Sequence, residues 1–227
     1  MSASHLHHIQ SLIEAACARA HRDPREVTLV GASKTHSASE LGPFFAAGLT
    51  NFGENYVQEG LTKISTFQEQ SLGAIWHLIG SLQSNKAREA VTNFEIIHSL
   101  DRLSLAKELD KEARKIGKVQ RVLLQINVGH EDSKAGISPE KLPELLGATR
   151  QFSNLKVEGL MSLPPYDENP EETRVYHRQL RDLRDSLATS ERPLNILSMG
   201  MSRDFEIAIE EGATLVRIGT ALFGTRS

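Results

Sequence analysis

"VTLVGASKTHS", residues 27–37, is a short, nearly continuous apolar run that stops on a lysine followed by small and hydroxyl residues. Val27, Leu29, Val30 and Ala32 show the pattern of a strand covered on both faces, as in a parallel sheet. Lys34 ends that run, and two readings of it are open. It emerges into solvent where the strand ends, or it sits in a low-dielectric pocket, gives up its proton and attacks a carbonyl as a neutral amine. The segment alone does not choose between them.

Outward from this strand, one rhythm repeats. A helix from about Leu6 to Ala20 precedes it, with Ile9, Leu12, Ile13 and Ala16 at helical spacing. A helical stretch from about Ser37 to Ala47 follows, closed by Gly48. Further strands are expected at 50–55, 74–80, 94–100, 121–128, 155–163, 194–201 and 214–224, with helical patterns between them, the sixth opening at Pro139. Alternating strands and helices imply a parallel sheet, and eight strands imply closure into a single (β/α)8 TIM barrel of the α/β class with an extra N-terminal helix. That helix covers the base or flank of the barrel, or stands in for a helix missing after the eighth strand. An open doubly wound sheet is the rival, but "GASK" carries one glycine and meets neither the dinucleotide fingerprint nor the P-loop pattern.

The bulk properties agree. The chain has 227 residues, 39% hydrophobic and 24% charged, with a net charge of −3. Nothing in that balance points to nucleic acid or to an anionic membrane surface. Cys17 is the only cysteine, so no internal disulfide exists and a reducing compartment fits. The N-terminus lacks the cationic and apolar regions of a secretory signal, and no run of apolar residues is long enough to cross a bilayer. A cytoplasmic protein of one domain over 1–227 is the expectation.

In such barrels chemistry collects at the C-terminal ends of the strands. Those ends carry Lys34, Asn55, His77 to Ser81, Ser99, Asp101, Asn127, Met161, Ser162, Ser198 to Ser202, Arg217, Gly219 and Thr220. "SMGMSRDFE" places Ser198, Gly200 and Ser202 just before a helix, and "RIGTALFG" adds Gly219 and Thr220. Loops after the seventh and eighth strands are the usual phosphate site of this architecture; the plainer reading makes them turn residues. A lysine plus a phosphate cradle points to a phosphorylated carbonyl compound, either pyridoxal 5′-phosphate or a sugar phosphate held by a Schiff-base aldolase. Lys34 on the first strand and Arg217 on the eighth favour the cofactor. A guanidinium facing the pyridine nitrogen would keep that nitrogen unprotonated and mute carbanion chemistry.

"ASKTHSASEL", "NFGENYVQEG", "WHLIGSLQSNK", "INVGHEDSKAGI", "GLMSLPP" and "SMGMSRDFEIAIEEGATLVRIGTALFG" resemble, in order from about residue 27 to 224, the pyridoxal phosphate homeostasis protein family. The resemblance implies a barrel like the N-terminal domain of alanine racemase, the type III fold of pyridoxal phosphate proteins. It implies that Lys34 carries the cofactor as an aldimine. Ser202, Gly219 and Thr220 would hold its phosphate, Arg217 would face its ring nitrogen, and Asn55 and Met199 with Ser198 would line the ring pocket. It also implies a role in the supply and homeostasis of the cofactor inside the cell without catalytic turnover, with apo-enzymes that require it as partners. A monomer is expected. Several relatives carry a second lysine where this chain has His36, so this chain departs from the family pattern there and lacks that amine. Lys134 matches the family pattern, as an accessory cofactor contact or a solvated loop residue.

An enzyme remains the alternative. A racemase of this fold needs an acid or base on each face of the cofactor, one of them commonly from a second domain or subunit. The eight strands use nearly the whole chain, leaving His77, Tyr56 and Lys34 as candidates. His77 reads either as a base or as a hydrogen-bonded residue of the pocket wall. "HLHH" at 5–8 lacks carboxylate or cysteine partners at ligand spacing and reads as a polar helix start.

Overall fold

The computed structural model describes residues 2–129, 131 and 135–224. Helix α1 (Ser2–Arg19) is followed by β1 (Thr28–Ala32), α2 (Ala38–Ala46), β2 (Asn51–Glu54), α3 (Val57–Glu69), β3 (Ile75–Leu78), α4 (Ala87–Asn93) and β4 (Ile96–Leu100). Then come α5 (Leu103–Lys115), β5 (Gln120–Ile126), α6 (Leu142–Ala148), β6 (Leu155–Ser162), α7 (Arg174–Leu187), β7 (Ile196–Ser198), α8 (Phe205–Glu210), β8 (Leu215–Ile218) and α9 (Thr220–Phe223). The strands pair in parallel in chain order and close into a barrel, β8 onto β1 with Val30 opposite Arg217. The expected barrel is therefore the observed one.

Local chemistry sets the element ends. Ser37 caps α2 by accepting from the Glu40 amide, while the Glu40 carboxylate returns to the Ser37 amide at 2.6 Å, a reciprocal capping box. Strand β7 is shorter than the sequence pattern suggests. Leu194 (φ 47°) and Gly200 (φ 89°) both lie in the left-handed region, which ends extended pairing on either side. Pro139 opens a 3-10 turn, and α6 begins three residues later. A one-turn helix, α9, does follow β8, and α1 packs beside it and α8 on the barrel's flank. Arg19 ties α1 to Glu206 and Glu210 of α8. No helix among the described residues is long and apolar enough to cross a membrane.

Strand side chains alternate between two environments. The outward set (Phe52, Trp76, Leu78, Ile97, Val122, Leu124, Leu160, Leu197, Val216, Ile218) joins the helices in one apolar sleeve that also holds Cys17. The inward apolar cluster is small: Ile96, Leu123 and Met161, with Leu163 and Ile196 against them. Much of the rest of the interior is polar, and it leads to the site.

Candidate functional site

Lys34 lies two residues past β1. The ladder continues for one residue beyond the strand, Ser33 N donating to Gly53 O at 2.9 Å. Gly31 faces the sleeve, where an added Cβ would strike Leu49 and Phe223 at 2.9 Å. Val30, Ala32 and, by the same two-residue period, Lys34 fall on the interior side. Lys34 is half-buried and has no hydrogen-bond or ion-pair partner among the described residues. An amine placed there is available for chemistry.

The turn that presents it is anchored from below. Thr35 has φ 70°, a left-handed conformation that a β-branched residue adopts only under constraint. Its amide donates to Glu59 Oε1 at 2.5 Å. The buried Lys63 ammonium donates to Ser33 O, Glu54 Oε1 and Glu59 Oε1 at 2.6, 2.7 and 2.8 Å, and Ser33 Oγ donates to Glu54 Oε1. Burial pushes the Glu54 carboxyl up, and the bonds from Lys63 and Ser33 oppose it. One lysine thus cross-links the exits of β1 and β2 to α3, fixing the backbone on which Lys34 rides. Sequence reading passed over Glu54, Glu59 and Lys63, although Glu59 and Lys63 stand at the i,i+4 spacing of a helical ion pair. His36 turns away toward Glu40 (3.3 Å) and the Phe223 ring (5.1 Å between centroids).

Beside this turn, on the strand paired with β1, the β7 and β8 exits meet at Ser202. Its Oγ accepts from Gly219 N at 3.2 Å and Ala221 N at 3.3 Å, so two amides of the eighth loop converge on one oxygen. Gly200 is required here: it is left-handed, and an added Cβ would meet Ala208 Cβ at 2.6 Å and Phe205 Cα at 2.9 Å. Asp204 pins the turn, accepting from Met201 N at 2.7 Å and contacting the buried His177 at 2.9 Å. Burial raises the Asp204 carboxyl, and the His177 hydrogen bond and charge, the Met201 amide and Arg217 outweigh it to hold the group below its usual range. Thr220, exposed, opens α9 beside this point.

Arg217, on β8 opposite Val30, lies inside the barrel and is almost wholly buried. It donates to Ser198 Oγ at 2.5 Å and to Ser162 O at 2.8 Å, and no carboxylate pairs with it among the described residues. Burial lowers its proton affinity to about 10 against a raising contribution from Asp204, which leaves a cation at neutral pH. Ser198 continues into a chain that sequence reading missed in part: Ser198 Oγ to His98 Nδ1, His98 Nε2 to His77 Nδ1, and His77 Nε2 to Asn51 Oδ1, each at 3.0 Å. His77 is therefore no base at the rim. It is an interior residue engaged at both ring nitrogens, and burial, with Arg121 nearby, pulls its proton affinity down to about 3. Asn55 is half-buried at the rim directly after β2, its backbone packed against Gly80. Met199 parts from Ser198: it points the other way and is buried in the sleeve. Lys134 lies outside the described residues.

These groups fit pyridoxal phosphate: a partner-free amine at the exit of β1, a cradle of amide and hydroxyl groups at the neighbouring exits of β8 and β7, and a donor-only guanidinium inside the barrel below them. A cleft of about 470 Å³ lies between α1 and the strand starts. That is the face of a barrel that serves stability.

Comparison with known proteins places the geometry among relatives. Residues 5–227 match the family model described as alanine racemase, N-terminal domain. The chain is 50% identical over 218 residues to a pyridoxal phosphate homeostasis protein of Aquifex aeolicus, covering 94% of this chain and 93% of that one. It is 42% identical to the protein of that name from Escherichia coli, covering 99% and 96%. Among solved structures, PipY of Synechococcus elongatus PCC7942 without PLP superposes with a TM-score of 0.89 at 36% identity, covering 99% of this chain and 100% of that one. The same protein with PLP bound gives a TM-score of 0.80, covering 94% and 100%.

Proposed function

Because the chain belongs to the pyridoxal phosphate homeostasis protein family, built on the alanine racemase N-terminal fold, we propose that it binds pyridoxal 5′-phosphate at the C-terminal rim of its barrel and serves in the supply of that cofactor. The observation that carries this reading is the placement of Lys34: half-buried on the interior side, without a partner among the described residues, at the exit of the strand that pairs with β8 and its Ser202 cradle. When bound, the cofactor supplies an aldehyde that condenses with an amine. Lys34 holds it covalently. Ser202, with the amides of Gly219 and Ala221 and the hydroxyl of Thr220, takes the phosphate, Asn55 and Ser198 bound the ring, and Arg217 stands opposite its nitrogen as a fixed cation.

The role proposed is that of a carrier without turnover, acting as a monomer and passing the cofactor to apo-enzymes. A racemase needs a base at the rim, and His77 is withdrawn from that role by its two hydrogen bonds inside the barrel.

Visible absorption tests this. The purified protein with added pyridoxal phosphate is expected to turn yellow, and borohydride followed by peptide mapping is expected to place the reduced adduct on Lys34. Lys34→Ala should abolish both. Incubation with an apo-enzyme that requires the cofactor should restore that enzyme's activity. A protein that stays colourless, or an adduct on another lysine, overturns the site; interconversion of amino-acid enantiomers lost in Lys34→Ala overturns the carrier role.

A further inference from the structure

We propose that His77 and His98 are positioning residues that act through Ser198 on Arg217, forming a one-directional hydrogen-bonded chain across the barrel that fixes the charge presented to the cofactor's ring nitrogen. Four contacts make the chain: Arg217 Nη1 to Ser198 Oγ at 2.5 Å, then Ser198 to His98, His98 to His77 and His77 to Asn51 at 3.0 Å each. Its direction follows from the chemistry of its ends. A guanidinium only donates, so Ser198 Oγ must accept from Arg217. The single Ser198 proton then goes to the other neighbour, His98 Nδ1. That leaves His98 its proton on Nε2, which it gives to His77 Nδ1, and His77 in turn donates from Nε2 to Asn51 Oδ1. At the far end, Asn51 Nδ2 donates to Thr50 Oγ1 at 3.1 Å, which turns the amide oxygen toward His77. Each histidine is a neutral Nε2–H tautomer, and every dipole turns its negative end toward Arg217.

The consequence is electrostatic. A buried cation without a carboxylate is costly unless neutral acceptors are oriented around it. Arg217 has two, Ser198 Oγ and Ser162 O, and the histidine chain keeps the serine proton pointed away from the guanidinium. Charge on either ring would reverse the order, since an imidazolium donates from both nitrogens. Burial opposes that charging: the proton affinity of His98 is well below the ordinary histidine value through burial, and then through His77, Arg217 and Arg121. The chain begins beneath the rim and ends at a cavity of about 120 Å³ lined by Asn51, His77, Arg121 and Thr214 at the strand starts. It is a device internal to the barrel, shielded by burial from the rim.

The effect on the cofactor rests on the function proposed above, whereas the tautomers do not, so two measurements separate the failures. Long-range ¹H–¹⁵N correlation on histidine-labelled protein without cofactor should show two rings as Nε2–H tautomers that stay neutral from pH 8 to 5. An Nδ1–H tautomer, or either ring charging near pH 6, overturns the chain. Ser198→Ala and His98→Phe should weaken pyridoxal phosphate binding by about tenfold, the scale of one charge-assisted hydrogen bond. They should also move the visible band of the bound cofactor, while borohydride still fixes it on Lys34; His98→Gln should restore part of the loss. An unmoved band and unchanged affinity in both folded variants overturn the link to Arg217. Absence of any cofactor binding by the parent protein, with the tautomers as stated, overturns the proposed function alone.

Discussion

The two faces of the barrel wall are built on opposite principles. On the sleeve side, Phe52, Phe67, Trp76, Leu78 and Val216 meet the helices through apolar contacts, with Phe67 edge-on to Phe45, Phe52 and Trp76 at 5.3–5.8 Å. On the interior side, a small apolar cluster shares the space with Asn51, His77, His98, Ser198 and Arg217, each committed to a named partner. The sleeve gains its stability from area removed from water, which is non-directional and tolerant of repacking. The interior gains selectivity from direction, and a half-satisfied polar chain is worse than none. Stability and function are therefore divided between the two sides of the same strands.

Truncation on the sleeve should give the largest change in stability. Phe67→Ala removes a ring packed on three aromatic neighbours and is expected to cost about 3–5 kcal/mol by denaturant titration, with cofactor affinity unchanged where the protein remains folded. A variant that lost cofactor binding instead would break the division. Acid should next separate the interior from the sleeve. His77 and His98 are held neutral in the fold but take up protons near pH 6.5 when unfolded. Below that pH the unfolded state binds more protons, so stability is complete above about 6.5 and falls with pH until the folded-state value of about 3 for His77 is reached. The pair is expected to cost about 2–3 kcal/mol between pH 6 and 5. His98→Gln should flatten that slope by about half, one histidine of two, and an equal slope in both proteins would refute the assignment. The smallest effect belongs to the solvated surface. Lys111→Ala breaks an exposed pair with Glu108 and should leave the unfolding midpoint unchanged, checked by the same titration.

Much of this was legible in the residues. The run through Val30, the period of the later strands and their regular spacing implied a closed barrel, because apolar runs covered on both faces need helices outside and side chains within. The rim positions of Lys34, Ser202, Gly219 and Arg217 followed from strand ends. His98 was passed over in "FEIIHSL", since one histidine among isoleucines carries no mark of which face it lies on. The family resemblance implies Met199 beside Ser198 at the ring pocket, yet successive residues along an extended chain point to opposite faces, and Met199 is buried in the sleeve. His77 kept two readings until its partners, at 98 and 51, were seen.

What the chain's own order determined was the rhythm: eight strands, their helices, and the ends at which polar residues gather, because periodicity and turn chemistry are local properties. Tertiary packing decided which polar residues meet. Closure brings residue 98 to residue 198 and residue 30 to residue 217, and the packing of α3 on β1 and β2 places Lys63 under the turn that carries Lys34. A hydrogen bond depends on where two atoms lie in space, and positions so far apart in sequence acquire that relation only when the last strand pairs with the first.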